Sequence, residues 1–428
     1  MGNKKREISK ARRTNAKLYP IYKMFSWDLL FFYSIEFLFY INTKGVTASQ
    51  ILIMNGFYLA FKVLCQLPSV MIADFIGKRK TIILGNFFLI FYILILMFLP
   101  GAFSIILAFL FYAFGYSLKL NSESNLLYDS VSTRGGDGIY TKLDGRGASL
   151  YSILEGMASF IAGFLFVMNN YIPLIICLMF LIISTILSFF FKDIYAVKER
   201  EKKSVKATIV EYGGELKQAF KFIFHSERMK AFILFQVVFY GFIRIMMTYQ
   251  SDLLVNIGIP EEEFSMIYAM LTVIGGLSMN LTRPLEKRYR NKTLTVLSMS
   301  HIMACVVIGV ISSFFVGKGI IPIILILLAV QKIATSIWEI LEYKYLKNFT
   351  NEYSRVKISF AYEMVGALGA SICSFVGGLL LDYVSIGNAY LLIGLAFVIL
   401  MTLTLDYMRK RFGLRPKEYR KEDIEFKV

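Results

Sequence analysis

Twelve apolar stretches, each about as long as a bilayer core requires, leave this chain few ways to fold. A helix needs roughly 20 apolar residues to cross a hydrocarbon core of about 30 Å. Such stretches run over 21–42, 48–73, 80–99, 101–130, 145–168, 170–191, 230–256, 263–284, 293–316, 319–347, 355–383 and 387–409, each bounded by turn or charge signals. A membrane β-barrel would show alternating segments of about ten residues, and these runs are too uniformly apolar for that. The composition agrees: 57% of the 428 residues are hydrophobic, 18% are charged, and mean hydropathy is +0.60. The expected fold is an all-α integral membrane protein with twelve transmembrane helices.

Charged residues recur at a separation of about 210 positions. Lys119 returns as Lys332, Glu155 as Glu363, Arg146 as Arg355, and Asp74 as Glu286. The chain therefore reads as two pseudo-symmetric copies of one six-helix bundle. Parallel repeats around a midplane site are one known construction of secondary transporters, so the register points to solute transport. The expected organisation is a cytoplasmic N-terminal segment over 1–20, a first bundle over 21–191, a cytoplasmic linker over 192–229, a second bundle over 230–409, and a cytoplasmic tail over 410–428. Within the linker, Ile209, Leu216, Phe220 and Phe224 fall near helical spacing, which predicts a surface-lying helix over 208–224, interrupted at Gly213 and Gly214.

Lysine and arginine set the orientation. They crowd the N-terminus (Lys4 to Lys17), the segment Lys78–Lys80, the linker, the segment Arg283–Lys292, and the tail from Arg409. The opposite loops hold Lys44, Lys318 and the acidic Glu261, Glu262 and Glu263. By the positive-inside rule both termini are expected to be cytoplasmic, and the abundance of Lys, Ile, Asn, Phe and Tyr suggests an AT-rich bacterial genome and hence a plasma membrane. The formal net charge of +17 is then a topology signal and a contact with anionic lipid head groups. Nucleic acid is not expected as a partner, because the basic runs sit beside spans and lack interleaved aromatics.

Several chemistries find no support. No cleavable leader is expected, since the first residues are polar and basic and the first apolar run is long enough to span. Cys65, Cys177, Cys305 and Cys373 fall in four different spans without CxxC spacing and read as packing thiols. His225 and His301 are too separated for a metal cluster. The segment Thr133–Gly138 resembles a phosphate loop only superficially and reads as a flexible turn, because no Gly-Lys-Ser or Gly-Lys-Thr follows. No cofactor is expected. No nucleophile, base and orienting group form a constellation, so an enzyme is not expected either.

The segment Ala73-Asp74-Phe75-Ile76-Gly77-Lys78-Arg79-Lys80, on the basic side of the second span, resembles the signature loop of the major facilitator superfamily. That loop has Gly, three residues, Asp, two residues, Gly, then paired basic residues; Val70 stands where its first Gly falls. The second half carries a worn counterpart, Glu286-Lys287-Arg288-Tyr289-Arg290, with Tyr289 in the glycine place. The segment Asn121–Ser130 looks like one found in drug-efflux-like branches of the family, whereas the fifth span lacks the Gly-Pro pair of many antiporters. The resemblance implies two bundles that rock to alternate access, a loop at Asp74, Gly77, Lys78 and Arg79 that helps hold one state, and a monomer. Independently of any family, Gly77 permits a tight turn, and Asp74 can accept from helix N-terminal amides or from Arg79.

Ionisable residues inside spans identify candidate site positions, because a mid-bilayer charge costs roughly 2.5–3.5 kcal/mol on insertion scales. Asp28, Glu36, Glu123, Glu155 and Glu363 are the candidates for proton coupling, with Glu36, Glu155 and Glu363 nearest mid-span. A carboxylate facing an apolar cavity and a basic counter-charge can bind and release a proton as access alternates. Lys62, Lys119, Arg244, Lys332, Glu339, Tyr240 and Trp338 are the candidates for contact with a small-molecule substrate, the aromatics by stacking. Permanent ion pairs latching the helices are the alternative for each charged residue. The functional expectation is proton-coupled efflux of amphipathic compounds. Proton-coupled uptake of a sugar, peptide or other metabolite is the alternative, and a non-transporting membrane receptor is a third reading.

Overall fold

The computed structural model describes residues 2–26, 29–131, 136–194, 205–315, 317–349 and 355–412. Among these the regular structure is helical: α1 (Gly2–Ser26), α2 (Glu36–Asn42), α3 (Ala48–Ile76), α4 (Lys78–Phe98), α5 (Gly101–Val131), α6 (Gly136–Met168), α7 (Ile172–Phe189), α8 (Val205–His225), α9 (Glu227–Asn256), α10 (Glu261–Ser278), α11 (Thr282–Tyr289), α12 (Thr293–Phe314), α13 (Ile321–Phe349), α14 (Arg355–Leu381) and α15 (Ile386–Phe412). Eleven helical segments among the described residues are long and apolar enough to cross a membrane, and α10 and α11 together count as one. They correspond to eleven of the twelve expected stretches.

The first stretch differs. In place of one helix over 21–42, α1 runs from Gly2 to Ser26 and α2 resumes at Glu36. Residues 29–35 form tight turns, with Phe32 N–H on the Leu29 carbonyl at 2.8 Å and Ile35 N–H on the Phe32 carbonyl at 3.0 Å. Non-helical backbone is tolerated in an apolar setting only where protein covers it. Here Leu29, Leu30, Phe32 and Ile35 are buried, and the Phe32 ring packs edge-on against Phe39 and Tyr40.

Helix ends follow local chemistry. Ser226 caps α9, its hydroxyl accepting from the Met229 N–H at 3.3 Å. Glu261, Glu262 and Glu263 open α10, where carboxylates favour the positive end of the helix dipole. In the loop after α2, Lys44 donates to the Leu99 carbonyl at the end of α4 at 2.5 Å, and its burial lowers its pKa from the ordinary lysine value. Gly77 turns α3 into α4 with φ 90°. The matching turn in the second half has its positive φ, 48°, at Arg290 and not at Tyr289. Arg290 follows Gly77 by the interval that separates Lys332 from Lys119, so the true register lies one residue beyond the loop comparison. α8 covers the expected linker helix and continues through Gly213 and Gly214.

Two compact units are present, each with segments from both halves of the sequence. Unit 1 comprises 1–46, 60–210 and 261–266; unit 2 comprises 47–59, 211–260 and 267–428. In unit 1, α4 pairs with α5, and α1 packs on α5, α6 and α7. The first turn of α10 lies against α6, where Ser265 Oγ accepts from the Gly163 N–H at 2.8 Å. In unit 2, α12 pairs with α15, and α9 packs on α14 and α15. The first half of α3 lies against α14, where Ser371 Oγ donates to the Gly56 carbonyl at 2.8 Å. Gly163 and Gly378 allow these approaches, since a methyl group would lie 2.5 Å from Ser265 Oγ at the first and 2.7 Å from Ile53 Cγ1 at the second. Gly156, on the same helix as Gly163, has open space beside it.

Candidate functional site

One face of α1 carries Tyr19, Tyr22, Lys23 and Ser26, at the spacing that aligns side chains along a helix. α5 presents Lys119 and Glu123 one turn apart. In unit 1 these two sets meet. The Tyr22 hydroxyl donates to Glu123 Oε1 at 2.6 Å, and the Ser26 hydroxyl lies 3.3 Å from the same oxygen. Lys119 Nζ is 3.9 Å from Glu123 Oε1 and donates to the backbone carbonyl of Ser26, the last residue of α1. The final carbonyls of a helix lack intrahelical donors and carry the negative end of its dipole, so an ammonium is well matched there. Both charged side chains are 4% exposed.

A second ion pair flanks the first. Lys23 Nζ meets Asp144 Oδ1 of α6 at 2.5 Å, and the Tyr19 hydroxyl donates to the same oxygen at 3.0 Å. Each buried lysine stem crosses a glycine on a neighbouring helix. A methyl group at Gly85 would lie 2.6 Å from Lys119 Cγ, and one at Gly147 would lie 2.8 Å from Lys23 Cδ. Tyr19 and Tyr22 also belong to a buried apolar cluster with Ile82, Leu126, Leu127, Val131 and Phe191. A buried carboxylate with two hydroxyl neighbours and a counter-charge can remain ionised without water, and loss of its charge would remove the attraction for Lys119 and weaken the two hydroxyl contacts.

The other expected positions divide between the units. Also in unit 1, half-buried Glu36 accepts from the Tyr40 hydroxyl at 2.8 Å, and Tyr40 lies 3.4 Å from the Tyr92 hydroxyl. Tyr92, Tyr112 and Tyr116 continue as a ladder of rings 5.0 and 5.9 Å apart, and Lys62 Nζ sits 5.9 Å from the Tyr116 centroid. Glu36, four tyrosines and Lys62 thus form one polar and aromatic path. Glu155 is half-buried on α6. At the signature loop, Lys78 pairs with Asp129 of α5. The Arg79 guanidinium donates to the Phe189 carbonyl at 2.7 Å, its backbone N–H donates to Asp193 at 3.0 Å, and Asp74 is half-buried.

In unit 2, Tyr240 and Arg244 lie one turn apart on α9, both half-buried, and Arg244 Nη1 reaches Met247 Sδ at 3.5 Å. The Lys332 stem passes over Gly275, while Glu339 and Glu363 are exposed. Trp338 corrects the sequence reading. It is 1% exposed and enclosed by Phe232, Phe235 and Phe239, with ring centroids 5.0–6.1 Å away, so it belongs to an aromatic core and is closed to a ligand. Asp28 lies outside the described residues, as do Thr133 to Gly135 of the glycine-rich turn; Gly136 already begins α6. Sequence reasoning missed Tyr22, Lys23, Ser26, Asp144 and Gly85. The signal available for the first three is the face they share with Tyr19, which lies two residues ahead of the expected start of the first span.

Comparison with known proteins fits this architecture. The model of the family described as Major Facilitator Superfamily matches residues 23–340. No curated protein matches the sequence. Among solved structures, the nucleoside transporter NupG superposes with TM-score 0.74 at 13% identity, over 92% of this chain and 99% of that one. A POT family transporter in complex with 5-aminolevulinic acid gives 0.65 at 13% identity, over 95% and 97%. The peptide transporter POT in complex with sulfate gives 0.66 at 11% identity, over 94% and 95%. At such identities the likeness is one of fold. With the family model spanning most of the chain, eleven membrane-length helical segments among the described residues and the recurring charges, the chain belongs to the major facilitator superfamily and is a multi-pass membrane transporter, not an enzyme.

Proposed function

We propose that this chain is a proton-coupled secondary transporter of a small organic solute, and that Glu123 carries the coupling proton. The observation that supports this is the buried group formed by Glu123, Lys119, Tyr22 and Ser26 at the end of α1. Protonation of Glu123 removes its attraction for Lys119 and weakens its hold on the Tyr22 hydroxyl. The ammonium is then held by the Ser26 carbonyl without its counter-charge, and the packing of α1 on α5 loosens. Deprotonation restores the clamp. Such an element has two arrangements that one proton selects between, which is what coupling of a gradient to alternating access requires. Glu36, Glu155 and Glu363 are less enclosed than Glu123.

Lys62, Tyr112 and Tyr116, all half-buried, are the proposed substrate-contacting surface in unit 1, suited to a planar or amphipathic solute. Efflux of amphipathic compounds across the plasma membrane, by a monomer with cytoplasmic termini, is the reading we adopt. Uptake of a metabolite is the second reading, and the same path favours it because a cation beside stacked rings also suits a planar anionic group. The test is proton flux in proteoliposomes holding a pH-sensitive dye, with cationic dyes, nucleosides, sugars and short peptides added singly. Solute-triggered flux that disappears in Glu123→Gln supports the proposal. Solute movement indifferent to the pH gradient overturns proton coupling, and ligand binding without any movement favours a receptor.

A further inference from the structure

The span formed by α10 and α11 ends in an open recess of about 560 Å³ lined by Arg283, Pro284, Lys287 and Arg288. We infer that this recess binds the phosphate head group of an anionic membrane lipid. Arg283 and Lys287, like Pro284 and Arg288, are four residues apart, so two adjacent ridges of α11 hold three cationic side chains around one space. All four residues are exposed. The nearest carboxylate on the helix does not cancel their charge, because Glu286 is engaged elsewhere: both of its oxygens accept from Lys344 of α13, at 2.6 and 2.8 Å. The Arg288 guanidinium carbon lies 5.6 Å from the Tyr289 ring centroid, which restricts where its donors point.

Depth selects the source of the phosphate. α10 has 18 residues, about 27 Å at 1.5 Å each, so α11 begins where a hydrocarbon core of about 30 Å ends. An exposed apolar stripe leads to the recess: Met270, Val273, Leu277 and Leu281 follow one another at steps of three or four residues, with Leu277 67% exposed. Pro284 and Arg288 continue the same steps. A lipid laid along this stripe places its chains on the methionine, valine and leucines and its phosphate among the three cations. A free phosphate would use the cations alone. Basic clusters at the ends of membrane helices are general sites for anionic head groups, and Arg supplies paired donors matched to phosphate oxygens.

Native mass spectrometry of the full chain in detergent tests the assignment, with phosphatidylglycerol, phosphatidylcholine of identical acyl chains, and inorganic phosphate as separate probes. The expected result is retention of phosphatidylglycerol in preference to phosphatidylcholine. Affinity should fall at least about tenfold in Arg283→Gln/Lys287→Gln/Arg288→Gln, and stay unchanged in Lys142→Gln, an exposed lysine outside the basic runs. The single substitution Lys287→Glu should give the same loss, and it serves if the triple variant does not fold. Equal retention of phosphatidylcholine, undiminished phosphatidylglycerol binding in both recess variants, or displacement of the lipid by millimolar inorganic phosphate would each overturn the assignment.

Discussion

Replacing Lys119 with methionine probes the α1 clamp most sharply, because the new side chain keeps the stem over Gly85 and removes only the charge. Two interactions go: the pair with Glu123 at 3.9 Å and the bond to the Ser26 carbonyl. Unit charges about 4 Å apart attract by roughly 4 kcal/mol at an effective dielectric of about 20. Desolvation offsets most of that in the intact pair, but removing one partner leaves Glu123 as an uncompensated buried charge, which costs about 3–5 kcal/mol. Adding Glu123→Gln should recover most of the loss, since a glutamine oxygen still accepts from Tyr22 and Ser26 and no charge remains. Reversible unfolding of the single and double variants in lipid bicelles gives the cycle. Lys119→Met within about 1 kcal/mol of the parent, or a double variant as unstable as the sum of the singles, would show that the two side chains do not form a coupled buried pair.

Three further substitutions test other parts of the structure. Gly85→Ala should cost about 1–3 kcal/mol, because its methyl would lie 2.6 Å from Lys119 Cγ and 2.9 Å from the Gly115 carbonyl; an unchanged thermal midpoint would show that α4 and α5 are not so close. Arg290→Gly should raise stability by about 1 kcal/mol, since φ 48° with ψ −121° suits glycine and strains other residues, and chemical denaturation reads the sign. Gly163→Ala should separate α6 from the first turn of α10, where the methyl would meet Ser265 Oγ at 2.5 Å and the Glu262 carbonyl at 2.8 Å. A cysteine placed at Ser265 should then become more reactive to a water-soluble thiol reagent, and unchanged labelling would count against that contact.

Hydropathy made eleven membrane segments legible because their signal is local: each is one long apolar run closed by Gly, Pro or charge. α1 escaped for the same reason. Its polar, lysine-rich sequence gives no hydropathy signal, and only Tyr19, Tyr22, Lys23 and Ser26 on one face mark it as a packed helix. Lys119 and Glu123 were legible as charges out of place in an apolar stretch. Their partners were not, since Tyr22 and Ser26 lie about a hundred residues away and only tertiary packing brings them together. Trp338 was misread because an aromatic on a charge-bearing span looks the same in sequence whether it faces a ligand or a core. The surrounding Phe232, Phe235 and Phe239 decide it.

If a proton on Glu123 couples a gradient to solute movement, exchange assays separate coupling from movement. Once a transported compound is identified, proteoliposomes carrying Glu123→Gln should still exchange labelled for unlabelled solute across the membrane at equal pH on both sides. They should fail to concentrate it when a pH gradient is imposed, while the parent protein does both. Accumulation by Glu123→Gln equal to that of the parent would rule Glu123 out and return the coupling role to another carboxylate.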